Sequence, residues 1–294
     1  MNASFASVAA RAAPVVFVFF WCTGFIFSKL AQADAEPMTT LVWRMALTVP
    51  ALAIIALATR APWPGARNAG HSVVAGLLVH GLYLAGVFVA IAHGVPAGLS
   101  ALIPGLQPVL TSTLASRWLG ERVSALQWTG LALGLVGVLL VLHDRPISGS
   151  GDAIGWGASV VSLAGITIGT LYQKRYCGGI DWRAGNTIQY AACFVLFVIM
   201  AYFLETGQVN WTPKFIGAIT YMAVVLSVGT IAILYWLIRN SAATQVASLF
   251  YLVPGVTALM AYVLFGEKLD PLSILGMAIC AGGVFLVNWN RARA

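Results

Sequence analysis

Apolar runs of similar length recur along the chain, near residues 13–31, 40–58, 71–93, 97–117, 124–142, 153–174, 184–204, 214–237, 243–264 and 271–289. Each approaches the roughly 20 residues a helix needs to cross the hydrocarbon core of a bilayer. Polar residues collect in the short connections, as in RAPWPGARN after the second run and HDRPISGSGD between the fifth and sixth. The latter is rich in Gly, Ser and Pro and falls almost at the middle of the chain. This pattern predicts an all-α integral membrane protein with ten transmembrane helices. The first run is too long for the core of a signal peptide and holds Phe, Trp and Cys, so it reads as a retained span.

Composition identifies the solvent. Of the 294 residues, 60% are hydrophobic and 9% charged, and mean hydropathy is +0.89. Soluble domains carry about 25% charged residues, and no globular core of this size hides so much apolar surface. A soluble enzyme, a nucleic-acid binder and a disordered regulator are thereby excluded. The net charge of +7 matters through its placement rather than its sum. If the spans alternate from a cytoplasmic N-terminus, eleven basic residues lie inside and four outside (Lys29, Arg145, Lys214 and Lys268), with Arg44 inside a span. That bias predicts cytoplasmic termini at both ends. The four cysteines have no metal-ligand spacing and read as small buried hydrophobes. No cofactor or metal site is expected.

The chain resembles itself at an offset of 146 residues. Ser100–His143 aligns with Val246–Trp289, placing Pro108 on Pro254, Thr111 on Thr257, Gly120-Glu121 on Gly266-Glu267, Gly130 on Gly276 and Gly137 on Gly283. The earlier spans match weakly, with Thr40 and Thr187 opening corresponding helices. Residues 1–146 and 147–294 are thus expected to be two five-helix repeats. An odd number of spans sends the second copy through the membrane upside down, a recurring plan of secondary transporters.

The ten spans, the duplicated half and the GE[RK] motif followed by a Gly-rich helix at Gly120–Gly137 and Gly266–Gly283 resemble the EamA-type members of the drug/metabolite transporter superfamily. The aromatic-rich spans are most similar to YddG-type exporters of aromatic amino acids. The resemblance implies a multi-pass protein of the bacterial inner membrane that moves small metabolites out of the cell. Glu121 and Glu267 are expected to favour the N-termini of the helices that follow them.

The spans hold almost no titratable groups, and no carboxylate lies near the centre of any of them. Arg44 has two readings: it attracts the carboxylate of a zwitterionic solute, or it snorkels to the outer interface beside Asp34 or Glu36. Lys29 reads in the same way. His80 lies deep in the third span, where an imidazole needs partners or water, and shares a helix face with Tyr83, Val87 and Ala90. It is read as a substrate contact, an interhelical hydrogen bond or a proton carrier. His93 reads as interfacial. Pro108 frees the Pro104 carbonyl, Pro104 that of Ser100, and Pro254 that of Phe250; such carbonyls suit an ammonium group or mark simple kinks. Gln107, Ser248 and Tyr251 add polar contacts in the fourth and ninth spans. Trp21, Tyr83, Tyr172 and Tyr251 lie deeper than the interfacial aromatics and are candidates for stacking on a planar solute. The substrate-binding set is therefore His80, Tyr83, Gln107, Trp21, Arg44, Tyr172, Ser248 and Tyr251, with no catalytic residue. The Gly-xxx-Gly patterns of the fifth and tenth spans read as packing faces, within one chain or in a dimer.

These readings predict a secondary transporter that exports a small metabolite, foremost an amino acid, through a cavity formed by spans 1–4 and 6–9. Another small metabolite or drug is the alternative. A membrane-embedded transferase would need an HxxxxD motif, an Asp pair or a Gly-rich phosphate loop, and a channel would need a ring of like side chains; neither pattern occurs. Without G-x-x-x-x-G-K-[ST] the chain holds no ATP motor of its own. The expected partners are the solute and the lipid bilayer, with no nucleic acid, and the protein is a monomer or homodimer.

Overall fold

The computed structural model describes residues 3–95, 102–141, 151–265 and 270–289. Every regular element among them is a helix: α1 (Ala3–Ala31), α2 (Pro37–Ala58), α3 (Ala66–Ala92), α4 (Leu102–Trp118), α5 (Ala125–Val141), α6 (Ala153–Tyr176), α7 (Trp182–Leu204), α8 (Pro213–Asn240), α9 (Ala243–Phe265) and α10 (Pro271–Asn288). Eight helical stretches are long and apolar enough to cross a membrane, and α5 is a shorter apolar one. The exception, α4, spends its length on Gln107, Pro108, Thr111, Ser112, Thr113 and Ser116. Large apolar side chains such as Ile54, Leu57, Val160 and Val263 stand on the outside, as lipid requires. Trp118, Trp128 and Trp211 are exposed near helix ends, where aromatic rings sit at the headgroup level.

Local chemistry sets several helix starts. Asp152, Asp181, Thr212 and Asp270 each accept a backbone N–H from the first turn of α6, α7, α8 and α10. Pro213 and Pro271 follow two of these caps, where a missing N–H costs nothing. The start of α2 is served from a distance. The Glu205 carboxylate accepts from the Met38 and Thr39 amides at 2.6 and 2.7 Å. Glu36 in return accepts from the amide and hydroxyl of Thr206 at 2.8 and 2.7 Å.

The helices gather into two compact units, one of Met1–Thr23, Ala101–Pro146 and Ile233–Ala294, the other of Gly24–Ser100 and Ile147–Ala232. In the first, α5 and α10 run antiparallel in backbone contact. A Cβ added at Gly130 would stand 2.7 Å from the Gly283 carbonyl oxygen, and one at Gly283 would stand 2.6 Å from that of Gly130. Gly137 and Gly276 are related in the same way, at 2.7 Å in both directions. Of the two expectations for these glycines, the packing face within the chain is realised. Tyr251 lays its ring on Gly134 and donates its hydroxyl to the Leu131 carbonyl at 2.8 Å.

The second unit repeats the arrangement with other helices. Thr39 meets Glu205 at one end of α2–α7, and the Arg183 guanidinium reaches the Thr59 carbonyl at the other, so these two are antiparallel as well. Helix α3 lies on α6 through Gly86, Gly165 and Gly169. Helix α1 meets α8 at Gly24–Leu226 and Ser28–Met222, with Phe27 stacked on Tyr221.

Each pairing joins positions whose counterparts, offset by about half the chain, are paired too. The Gly130–Gly283 contact becomes Gly137–Gly276 when each member moves by 146 residues.

The GE motif also reaches a helix distant in sequence. The Glu121 carboxylate accepts from the Ala243 amide at 3.0 and 3.1 Å, at the start of α9. The orphan donors of a helix N-terminus attract any carboxylate within reach, and the chain brings α9 to Glu121. Glu267 lies outside the described residues, as do most of the central linker and the C-terminal arginines.

Gly137→Ala and Gly276→Ala should each destabilise the protein by about 1–3 kcal/mol through overpacking, with similar costs because they occupy equivalent places. Gly157→Ala, where an added Cβ meets nothing within 4 Å, should stay within about 0.5 kcal/mol. Unfolding in mixed detergent micelles, followed by circular dichroism, measures all three.

Candidate functional site

Helix α2 carries Thr40, Arg44 and Thr48 four residues apart on one buried face. The two hydroxyls bond back to their own helix, Thr40 to the Glu36 carbonyl at 2.9 Å and Thr48 to that of Arg44 at 2.8 Å. Only Arg44 is left to look outward from this stripe. It is 5% exposed, and its Nε donates to Ser227 Oγ at 3.0 Å. Snorkelling beside Asp34 or Glu36 is therefore ruled out. Asp34 accepts from the Thr212 hydroxyl and Glu36 is held by Thr206.

Two departures from α-helical geometry supply the groups around it. Leu77–Leu82 of α3 and Met222–Thr230 of α8 are π-helical. A π-turn inserts a residue and re-aims the side chains beside it, and such turns are frequent at functional sites. The first presents His80 and the second Ser227, which lie 147 residues apart, as do Thr40 and Thr187. His80 is buried and stacks on Tyr190 with ring centroids 4.3 Å apart and planes at 25°. One turn earlier, α3 approaches α7 so closely that a Cβ at Gly76 would meet the Gln189 backbone. Tyr83 and Tyr190 also lie within the electrostatic surroundings of Arg44. Gln189 leans toward His80, and Tyr190 toward Arg44 and Ser227, yet none of these approaches reaches hydrogen-bonding geometry.

The result is a buried cation among buried, unsatisfied polar atoms. His80 Nε2, both amide atoms of Gln189 and of Asn186, and the Tyr190 hydroxyl have no hydrogen-bond partner. Among the described residues no carboxylate pairs with Arg44. The five carboxylates of this unit are all occupied at helix ends. Besides Asp34, Glu36 and Glu205, Asp152 binds the Gly155 amide and His93, and Asp181 binds Arg183. Those bonds hold three acids below the ordinary carboxylate range: Glu36 through the Thr206 hydroxyl, Asp152 through the Gly155 amide and then His93, and Asp181 through the Arg183 side chain. A buried ion without a partner costs several kcal/mol, and native proteins leave few buried polar atoms unmatched. This arrangement suits a ligand that brings an anionic acceptor to the guanidinium and further polar atoms to its neighbours.

The predicted residues divide. Arg44, His80 and Tyr83 come together. Tyr172 belongs to the same unit but pairs its hydroxyl with His71 Nδ1 at 2.8 Å, beside Tyr176. Trp21, Gln107, Ser248 and Tyr251 belong to the other unit. There Trp21 packs against Phe17 and Phe250. Ser248 donates to the Gln245 carbonyl and accepts from Asn288. Gln107 is buried with Oε1 unmatched. Lys29 is exposed, and His93 meets Asp152 at the surface, as an interfacial residue would. The Ser100 carbonyl lies outside the described residues. Sequence reasoning missed Asn186, Gln189, Tyr190 and Ser227. The first three form a polar patch of one helical turn in an otherwise apolar span, and Tyr190 stands 146 residues after Arg44.

The model of the EamA-like transporter family matches residues 5–143 and 154–289. The chain belongs to this family. It is 28% identical over 232 residues to the Escherichia coli "Uncharacterized inner membrane transporter YedA", covering 78% of this chain and 74% of that protein. It is 24% identical over 288 residues to the Escherichia coli "Probable amino-acid metabolite efflux pump", covering 92% and 93%. A solved structure superposes with a TM-score of 0.75 at 17% identity, over 97% of this chain and 98% of that one, a likeness of fold. The protein is thus a multi-pass membrane protein of a transporter family.

Because no carboxylate among the described residues pairs with Arg44, Arg44→Gln should raise the melting midpoint of the ligand-free, detergent-solubilised protein by at least about 2 °C. Differential scanning fluorimetry reads this directly, and a clear fall would mean that the guanidinium has a stabilising partner.

Proposed function

We propose that this protein is a secondary transporter that exports a small carboxylate-bearing metabolite, an amino acid with an aromatic or other apolar side chain, across the inner membrane. The observation that carries the reading is Arg44, buried without a carboxylate beside unsatisfied His80, Gln189 and Tyr190. The printed name of the efflux-pump relative agrees with it. Arg44 takes the solute carboxylate, Ser227 orients the guanidinium, and the stacked His80–Tyr190 pair and Tyr83 supply polar edges and an apolar face.

The chain crosses the membrane ten times with both termini in the cytoplasm, as residues 1–146 and 147–294 in inverted orientation. The two segments matched by the family model and the reciprocal antiparallel pairing of α5 with α10 support this topology. Alternating access follows when each copy adopts in turn the conformation of the other. No carboxylate sits inside a described span to relay protons, so the solute runs down its cytoplasmic excess. Proton antiport through His80 is the competing mode of coupling.

Counterflow of radiolabelled Phe, Trp, Thr and Met in proteoliposomes tests the proposal. At least one should exchange well above empty liposomes, and Arg44→Gln should reduce that exchange at least about tenfold. No flux for any of the four defeats the amino-acid reading. If net flux depends on pH and His80→Gln keeps that dependence in full, His80 carries no proton.

A further inference from the structure

The carboxylates that surround a zwitterion's ammonium group in other settings are missing from this site. All five acids of the unit that holds Arg44 are committed at helix ends: Asp34 to Thr212, Glu36 to Thr206, Asp152 to Gly155 and His93, Asp181 to Arg183, and Glu205 to Met38 and Thr39. The groups left around Arg44 and the His80 beside it are neutral: the Ser227 hydroxyl, the Gln189 amide, two tyrosines and an imidazole. Together they offer one full positive charge, several hydrogen-bond donors and no full negative charge.

The α-amino group of an amino acid is tied to its carboxylate through a single carbon. A carboxylate seated on the guanidinium therefore carries the ammonium to within a few ångströms of the same cation, with only neutral acceptors to receive it. A hydroxyl or carbonyl at that carbon removes the repulsion. It also accepts from donors that are now idle, the Gln189 Nε2 and the Tyr190 hydroxyl. A monoanion leaves the buried site neutral, whereas a zwitterion leaves it with a net positive charge, and low-polarity surroundings make that difference count.

We propose that the Arg44 site selects the carboxylate and does not require the amino group, so that 2-hydroxy and 2-oxo monocarboxylic acids are ligands at least as good as the amino acids of the same side chain. This inference rests on Arg44 being the solute site, as argued above, and names the chemistry that site prefers. The amine that remains when the carboxylate is removed binds least, since both it and the site are cationic.

Four probes that share one side chain test this in purified protein: phenylalanine, its 2-hydroxy acid, its 2-oxo acid and phenethylamine, by isothermal titration calorimetry. The hydroxy and oxo acids should bind as tightly as phenylalanine or more tightly, and phenethylamine at least tenfold more weakly than either acid. Arg44→Gln should remove binding of all three carboxylates, and Arg44→Lys, which keeps the charge but not the paired donors, should restore part of it. Phenylalanine binding more than tenfold tighter than both acids overturns the inference and leaves amino-acid export standing. Acids that bind when phenylalanine does not sink amino-acid export and keep the inference. Phenethylamine binding as well as the acids, undiminished acid binding in Arg44→Gln, or no binding by any of the four overturns it outright.

Discussion

Hydrocarbon supplies no hydrogen bonds, so a polar group inside this protein must find its partner within the protein or in a solute. A number of hydroxyls meet the requirement locally. Thr40, Thr48, Ser112, Thr170 and Thr187 return their hydroxyls to carbonyls four residues back. The described carboxylates withdraw to helix ends, where backbone donors are plentiful. Arg44 is the charge left in the interior, and the chemistry of the site follows from its being left there.

The same constraint shapes the packing. Apolar surface gives little drive to associate when lipid is just as apolar, so helices must approach closely enough for backbone and side chains to interlock. Gly130, Gly137, Gly276 and Gly283 allow this between α5 and α10, and Gly86, Gly165 and Gly169 between α3 and α6. The two π-turns sit in α3 and α8. In each, the regular ladder is exchanged for a side chain of the site: His80 stacks on Tyr190, and Ser227 accepts from Arg44. At offsets of 146 and 147 residues Tyr190 stands to Arg44, and Ser227 to His80, so matching positions bring different side chains to the site.

The all-helical architecture and the family were legible from the chain because both rest on short-range patterns: runs of apolar residues and two glycine-rich helices preceded by GE[RK]. The site was legible only in part. Arg44, His80 and Tyr83 stood out as polar groups in apolar spans, yet Tyr172, chosen on the same ground, turned out to bind His71. Glu121, whose place in the sequence points to the next helix, also caps the distant α9. Depth within a span is a one-dimensional property, whereas a contact depends on rotation about the helix axis, which each π-turn alters for all that follows it.

The sequence by itself determined that this chain lives in a bilayer, where its apolar helices broadly run, and that one arginine has to lie within a span, because each of these depends on residues close together along the chain. The tertiary structure alone decided that Arg44 meets Ser227 from 183 residues away, that Tyr190 stacks on His80, and that no acid among the described residues pairs with Arg44. Those outcomes depend on which helix faces which, and that is settled only when the antiparallel pairs close around their glycines.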